Sequence, residues 1–189
     1  MLKQIKGLHH VTSLASSASV NNAFFTNVLG LRRVKKTVNF DAPDVYHLYY
    51  GDEVGTPGSV MTYFPFQKAA RGKRGVGEVG VTSFSIPFGS ATAWGERLAT
   101  FEVENVTADV RFGQNRILFD GPDGDRFALV ETDDDRTPWT GNGIGADMGI
   151  RGFQGADMRL ADGGATAELL KFMGYEKTDH ADNVTRFTV

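Results

Sequence analysis

Near the start of the chain, Leu8-His9-His10-Val11-Thr12 places two imidazoles and a hydroxyl in one short segment. A neutral imidazole can ligate a divalent metal or move a proton near neutral pH, and a nearby hydroxyl can orient either event. The segment reads as a strand. Side chains alternate across a strand, so His10 and Thr12 share one face while His9 and Val11 take the other, unless His9 reaches round the strand edge. Taken alone, His10 fits a metal ligand or a strand histidine satisfied by a hydrogen bond. His47 and His180 sit beside turn-forming residues and read as surface positions. Glu131, in Val130-Glu131-Thr132, is the carboxylate nearest the end of a last strand and reads as solvated. The absence of cysteine excludes disulfides, zinc-thiolate sites, iron-sulfur clusters and a cysteine nucleophile.

Composition sets further bounds. Twenty basic against 23 acidic residues give a net charge of −3, without the positive footprint that nucleic-acid binding needs. No apolar run reaches membrane-spanning length, and Met1-Leu2-Lys3-Gln4-Ile5-Lys6 is too short and too charged for a signal peptide. A cytoplasmic protein without nucleic-acid or membrane partners is expected.

The elements that must position these residues repeat along the 189-residue chain. The opening at Gly7 is matched 73 residues later at Gly80 and another 72 residues later at Gly152. In the first copy the pattern predicts a strand and then a helix over 20–31. Val20, Ala23, Phe24, Val28 and Leu31 form its apolar face, with Ser16, Ser17 or Ser19 as N-cap and Gly30 as the stop. Strands follow over 33–40, 46–50 and 59–64. The second copy predicts a helix over 91–100 and strands over 106–112, 116–119 and 126–131. The third predicts a helix over 165–173 ending at Gly174, then strands over 175–178 and 184–189. The fold class is therefore α+β, with tandem βαβββ modules. Their spans are 1–70, 77–133 and, after a linker over 134–149, 150–189, the start of a truncated third module with an uncovered sheet edge. A repeat cut short in this way implies a longer protein.

A strand-helix-three-strand unit used in tandem, with Leu8-His9-His10-Val11 on its first strand, resembles the vicinal oxygen chelate superfamily of glyoxalases, bleomycin-resistance proteins and extradiol dioxygenases. The run Val38-Asn39-Phe40-Asp41-Ala42-Pro43-Asp44-Val45-Tyr46-His47-Leu48-Tyr49-Tyr50-Gly51-Asp52-Glu53, with Pro57-Gly58-Ser59 and Phe64-Pro65-Phe66, is similar to the ring-cleaving branch that contains hydroquinone dioxygenases. That resemblance implies a mononuclear Fe(II), or sometimes Mn(II), held by two histidines and a glutamate, with open positions for a hydroxylated aromatic and O2. It places the first metal histidine on His10, and His9 and Thr12 beside the substrate. It also implies that the other two ligands come from a fourth unit, so this chain alone is expected to hold iron weakly or not at all. The positions matching His10 are Ser83 and Gly155, which supply no useful ligand.

Three other segments concentrate charge. Lys68, Arg71, Lys73 and Arg74 in the loop 67–79 could draw in a phenolate or simply form a solvated connector. Asp133-Asp134-Asp135 reads as linker surface, and Asp123-Gly124-Asp125 as a hairpin turn. Two rival functions stand beside the dioxygenase: a metal-free, bleomycin-resistance-like protein that binds a small aromatic compound, and a glyoxalase-type lyase or isomerase. The latter is disfavoured because Ser59-Val60-Met61-Thr62-Tyr63-Phe64 offers no carboxylate. Incomplete units make a homo-oligomer plausible.

Overall fold

The computed structural model describes residues 4–67 and 70–189. Met1 to Lys3 and Lys68, the first cation of the basic loop, lie outside the described residues.

Strand β1 (His10–Ala15) is followed by helix α1 (Ala18–Ala23), whose last turn widens into a π-helical segment over Phe24–Val28. Ser17 caps the helix, its hydroxyl accepting from the Val20 N–H. Gly30 sits at φ +68 where the chain leaves the helix, and the Leu31 N–H donates to the Phe25 carbonyl to close it. The expected apolar face is displaced here. Val20 is half exposed, while Phe24 and Phe25 are both buried. The extra residue in the wide turn rotates the following side chains, which a strict 3.6-residue period cannot anticipate.

Strands β2 (Arg32–Val38), β3 (Tyr46–Gly51) and β4 (Val60–Pro65) complete a four-stranded sheet in the order β1-β4-β3-β2. The opening strand lies parallel to the last, with His10 opposite Val60 and Thr12 opposite Thr62. The second copy repeats this plan: β5 (Glu78–Ile86), α2 (Ala91–Thr100), β6 (Thr107–Arg111), β7 (Gln114–Asp120) and β8 (Arg126–Glu131), with β5 parallel to β8. After the connection over 132–151, β9 (Gly152–Arg159) adds antiparallel to β5 as the edge of a five-stranded sheet ordered β6-β7-β8-β5-β9. Thus the third opening strand is paired within this chain. Helix α3 (Gly164–Phe172) follows, and β10 (Glu176–Ala181) and β11 (Val184–Thr188) pair with each other.

One apolar cluster spans both sheets. Phe127 on β8 meets Phe24, Phe25, Phe84 and Phe119, and Phe25 stacks on Tyr50. Polar contacts fix the alignment. The Asp125 carboxylate, in the β7–β8 turn, accepts from the Ser13 hydroxyl at 2.9 Å and the Tyr63 hydroxyl at 2.7 Å, and Asp123 accepts from both the amide and the hydroxyl of Ser16. The turn expected at Asp123-Gly124-Asp125 therefore also ties β1 and β4 to the second sheet.

Burial raises the Asp125 pKa, outweighing the two hydroxyl donors that act to lower it. A carboxylate whose folded pKa is raised contributes stability that is present at acid pH and lost as pH rises through the raised value. Tyr63→Phe removes one donor from this half-buried carboxylate and should lower unfolding free energy by about 1.5–3 kcal/mol at pH 7. Urea denaturation should show a smaller loss at pH 4, where Asp125 holds a proton more readily; an equal loss at both pH values would contradict this account.

Candidate functional site

The face of the first sheet that turns away from the core carries the histidines. Along β1, Val11, Ser13 and Ala15 turn inward, whereas His10, Thr12 and Leu14 are exposed. The Thr12 and Thr62 hydroxyls lie 2.8 Å apart, and Tyr49 is the cross-strand partner of Thr62 on β3. Cross-strand partners share a face, so Thr12, Thr62 and Tyr49 form a polar row across the sheet.

His9 precedes the strand pairing, and its ring turns to meet that of His10. The two rings pack edge to face at 5.3 Å between centroids, with Nδ1 to Nδ1 at 3.1 Å. The His9 ring thus lies against the His10 ring just ahead of the strand ladder. The strand ladder begins at His10, while the His9 carbonyl accepts from the Gly58 N–H.

His47 is a residue that sequence reasoning missed. It is not a surface side chain beside a turn but a half-buried member of β3. Its ring lies 4.1 Å from that of Tyr49 and 4.0 Å from that of Phe64, and its Nδ1 is 2.7 Å from the Tyr49 hydroxyl. Burial lowers its pKa, and the neighbouring His10 ring and Lys35 ammonium act in the same direction, so its environment favours the neutral imidazole. The alternation in Tyr46-His47-Leu48-Tyr49-Tyr50, which buries Leu48 and Tyr50, was the available signal.

Other candidates take structural parts. Glu131 is not solvated: it is 5% exposed, accepts from the Gly89 and Ala91 N–H groups at the start of α2, and accepts from the Asn115 amide. It stabilises a helix N-terminus, as a carboxylate does there. Ser83 and Gly155, the positions matching His10, face each other across β5 and β9. His180 is exposed and bonded to Thr185. In the basic loop, Arg74 is tied to Asp120 and to the Gly124 carbonyl. The acidic run is not all linker surface, since the Asp134 side chain is largely buried against Arg136. Among the described residues no group of three or more metal-ligating side chains comes together, and no helix is long and apolar enough to cross a membrane.

No protein-family model matches the chain. It is 39% identical over 189 residues to a Bacillus subtilis (strain 168) protein provisionally named ring-cleaving dioxygenase MhqO, covering 99% of this chain and 60% of the relative. It is 38% identical over 156 residues to a chlorohydroquinone/hydroquinone 1,2-dioxygenase of Sphingobium indicum, covering 80% of this chain and 49% of that enzyme. A crystal structure of a provisionally named dioxygenase from Bacillus subtilis superposes with a TM-score of 0.94 at 40% identity, covering 98% of this chain and 60% of that one. A glyoxylase/bleomycin resistance protein/dioxygenase domain from Frankia shares the fold at a TM-score of 0.56 and 12% identity, covering 70% of this chain and 96% of the domain. The chain thus spans about half to three fifths of the length of the curated relatives it matches.

The ion pair behind the histidines has a pH signature. Burial alone would raise the Asp134 pKa, but hydrogen bonds from Arg136 hold it at about 2 against an ordinary 3.8. A depressed carboxylate pKa gives stability that is present above the unfolded value and lost as pH falls through the folded one. Asp134→Asn should therefore lower stability at pH 7 and flatten its decline between pH 3.8 and about 2. Urea titrations across that range check this, and a decline parallel to that of the unmodified chain would contradict it.

Proposed function

The chain belongs to the vicinal oxygen chelate superfamily and aligns over almost its whole length with ring-cleaving dioxygenases, and we propose that it supplies the His10 face of such an enzyme's site. The substrates are a dihydroxylated aromatic of the hydroquinone kind and O2, in a cytoplasmic protein. The module spans 1–70, 77–133 and 150–189, with the linker over 134–149, belong to this proposal, as does association into a homo-oligomer.

The observation that carries the reading is the Nδ1 to Nδ1 contact of His9 and His10. A neutral imidazole has one N–H, so in such a contact one Nδ1 donates and the other accepts. The donating ring is left with a bare Nε2 lone pair, able to ligate a metal. The accepting ring keeps its hydrogen on Nε2, able to donate to a phenolic oxygen. The contact thus divides the labour between two adjacent and chemically identical side chains. His10, on the strand, takes the ligand part, and His9 the hydrogen-bond part. Thr12, its hydroxyl already set by Thr62, orients a substrate hydroxyl from the same face as His10.

Fe(II), or Mn(II), is the metal of this proposal, and it would supply the activation of O2. The residues described do not by themselves fit a complete site. The His10 face offers imidazoles but no carboxylate, and a two-histidine, one-carboxylate centre needs three protein donors. On this proposal the missing donors would have to be supplied by residues other than those described.

Oxygen uptake by the complete gene product, prepared anaerobically with Fe(II) and supplied with hydroquinone, tests this reading. One O2 should be consumed per ring opened. His10→Ala should lower turnover more than about a hundredfold, and Thr12→Val about ten- to a hundredfold. Wild-type turnover in His10→Ala would contradict the assignment.

A further inference from the structure

We propose that Arg136, in the connection between the second and third units, is a positioning residue for His9 and His10. The relay runs through backbone groups. The Gly58 N–H donates to the His9 carbonyl at 2.8 Å, holding the chain just ahead of the β1 ladder. The Gly58 carbonyl in turn accepts from the Phe153 N–H at 2.7 Å and from Arg136 Nη1 at 3.3 Å. Arg136 Nη2 donates to the Phe153 carbonyl at 2.8 Å and to Asp134 at 2.6 Å. One guanidinium thus joins the turn before β4, the start of β9 and a carboxylate of the connection. Its rigid planar fork spreads the donors over these three partners, whereas an ammonium gathers its three donors on one nitrogen.

Two glycines make room for the junction. Gly58 adopts φ +93 and Gly152 φ +133, and a Cβ on Gly152 would lie 2.8 Å from the Gly58 carbonyl oxygen and closer still to Arg136. The backbones therefore approach as closely as they can, and Arg136 fills the remaining gap. The eight-residue strand β9 that makes these contacts is itself paired antiparallel along β5. His9 is in this way referred to the second sheet and not only to its own. If Arg136 is lost, the Gly58 turn loses its charged anchor and the His9 ring is released from His10.

The functional meaning of this brace rests on the proposed role of the two histidines, but its test does not need metal, substrate or turnover. Amide hydrogen exchange and imidazole 15N spectra of this chain are compared for the unmodified protein, Arg136→Ala and Arg136→Lys. In Arg136→Ala the Gly58 and Phe153 amides should exchange at least about tenfold faster. The His9 and His10 ring signals should move, while the Phe119 and Leu129 amides keep their rates. Arg136→Lys should restore part of the protection. Unchanged Gly58 exchange, unchanged ring signals, or an equal acceleration at Phe119 and Leu129 would each overturn the proposal. Loss of turnover in the His10 test with intact ring shifts here, or the reverse, separates failure of the brace from failure of the dioxygenase reading.

Discussion

A half-buried carboxylate in a hairpin turn, Asp125, holds the two sheets in register. Asp125 accepts the hydroxyls of Ser13 and Tyr63, one from each strand of the parallel β1–β4 pair. Those strands carry His10, Thr12 and Thr62 on their other face. Aromatic packing among Phe24, Phe25, Phe119 and Phe127 supplies the bulk of the attraction between the two sheets, but apolar contact is not directional. The hydroxyl-to-carboxylate bonds are directional, and leaving any of those groups buried without a partner is costly. Register between the sheets follows from them. At the opposite end of β1, the Gly58 junction with Phe153 and Arg136 performs the same service. The strand is tied at both ends and leaves one face free.

That free face is where chemistry is possible. Its exposed residues are His10, Thr12 and Leu14, and behind them stands a row of Thr62, Tyr49 and His47. The His9 and His10 rings are identical in composition, and in the proposed site they differ in which nitrogen carries the proton. On that proposal the shared Nδ1 contact removes the degeneracy, so that a ligand and a hydrogen-bond donor would arise from one dipeptide. His47 adds a third imidazole, whose pKa burial lowers with help from the neighbouring His10 ring and Lys35, and which the Tyr49 hydroxyl fixes.

Much of the fold was legible because it rests on local rules applied repeatedly. The opening strands, the glycine stop at Gly30 and the turns between strands are short-range features, and the inward and outward positions of β1 follow from period two alone. What was not legible depends on contacts between distant segments. The π-helical turn that buries Phe25 answers to aromatic partners on another sheet. Glu131 and Asp134 look like surface acids because their partners, the start of α2 and Arg136, are invisible to a local pattern. His47 looks like a turn neighbour in the sequence because its surroundings depend on the register of β3 with β4. Pairing of β9 with β5, which covers part of an expected bare edge, likewise needs a partner 70 residues away.

The division of labour between His9 and His10 can be measured directly by long-range 1H–15N correlation spectra of the two imidazoles above pH 7. The account predicts one ring protonated at Nδ1 and the other at Nε2, with His10 the Nδ1–H tautomer. Two rings both protonated at Nε2 would leave the Nδ1 contact without a hydrogen and contradict it.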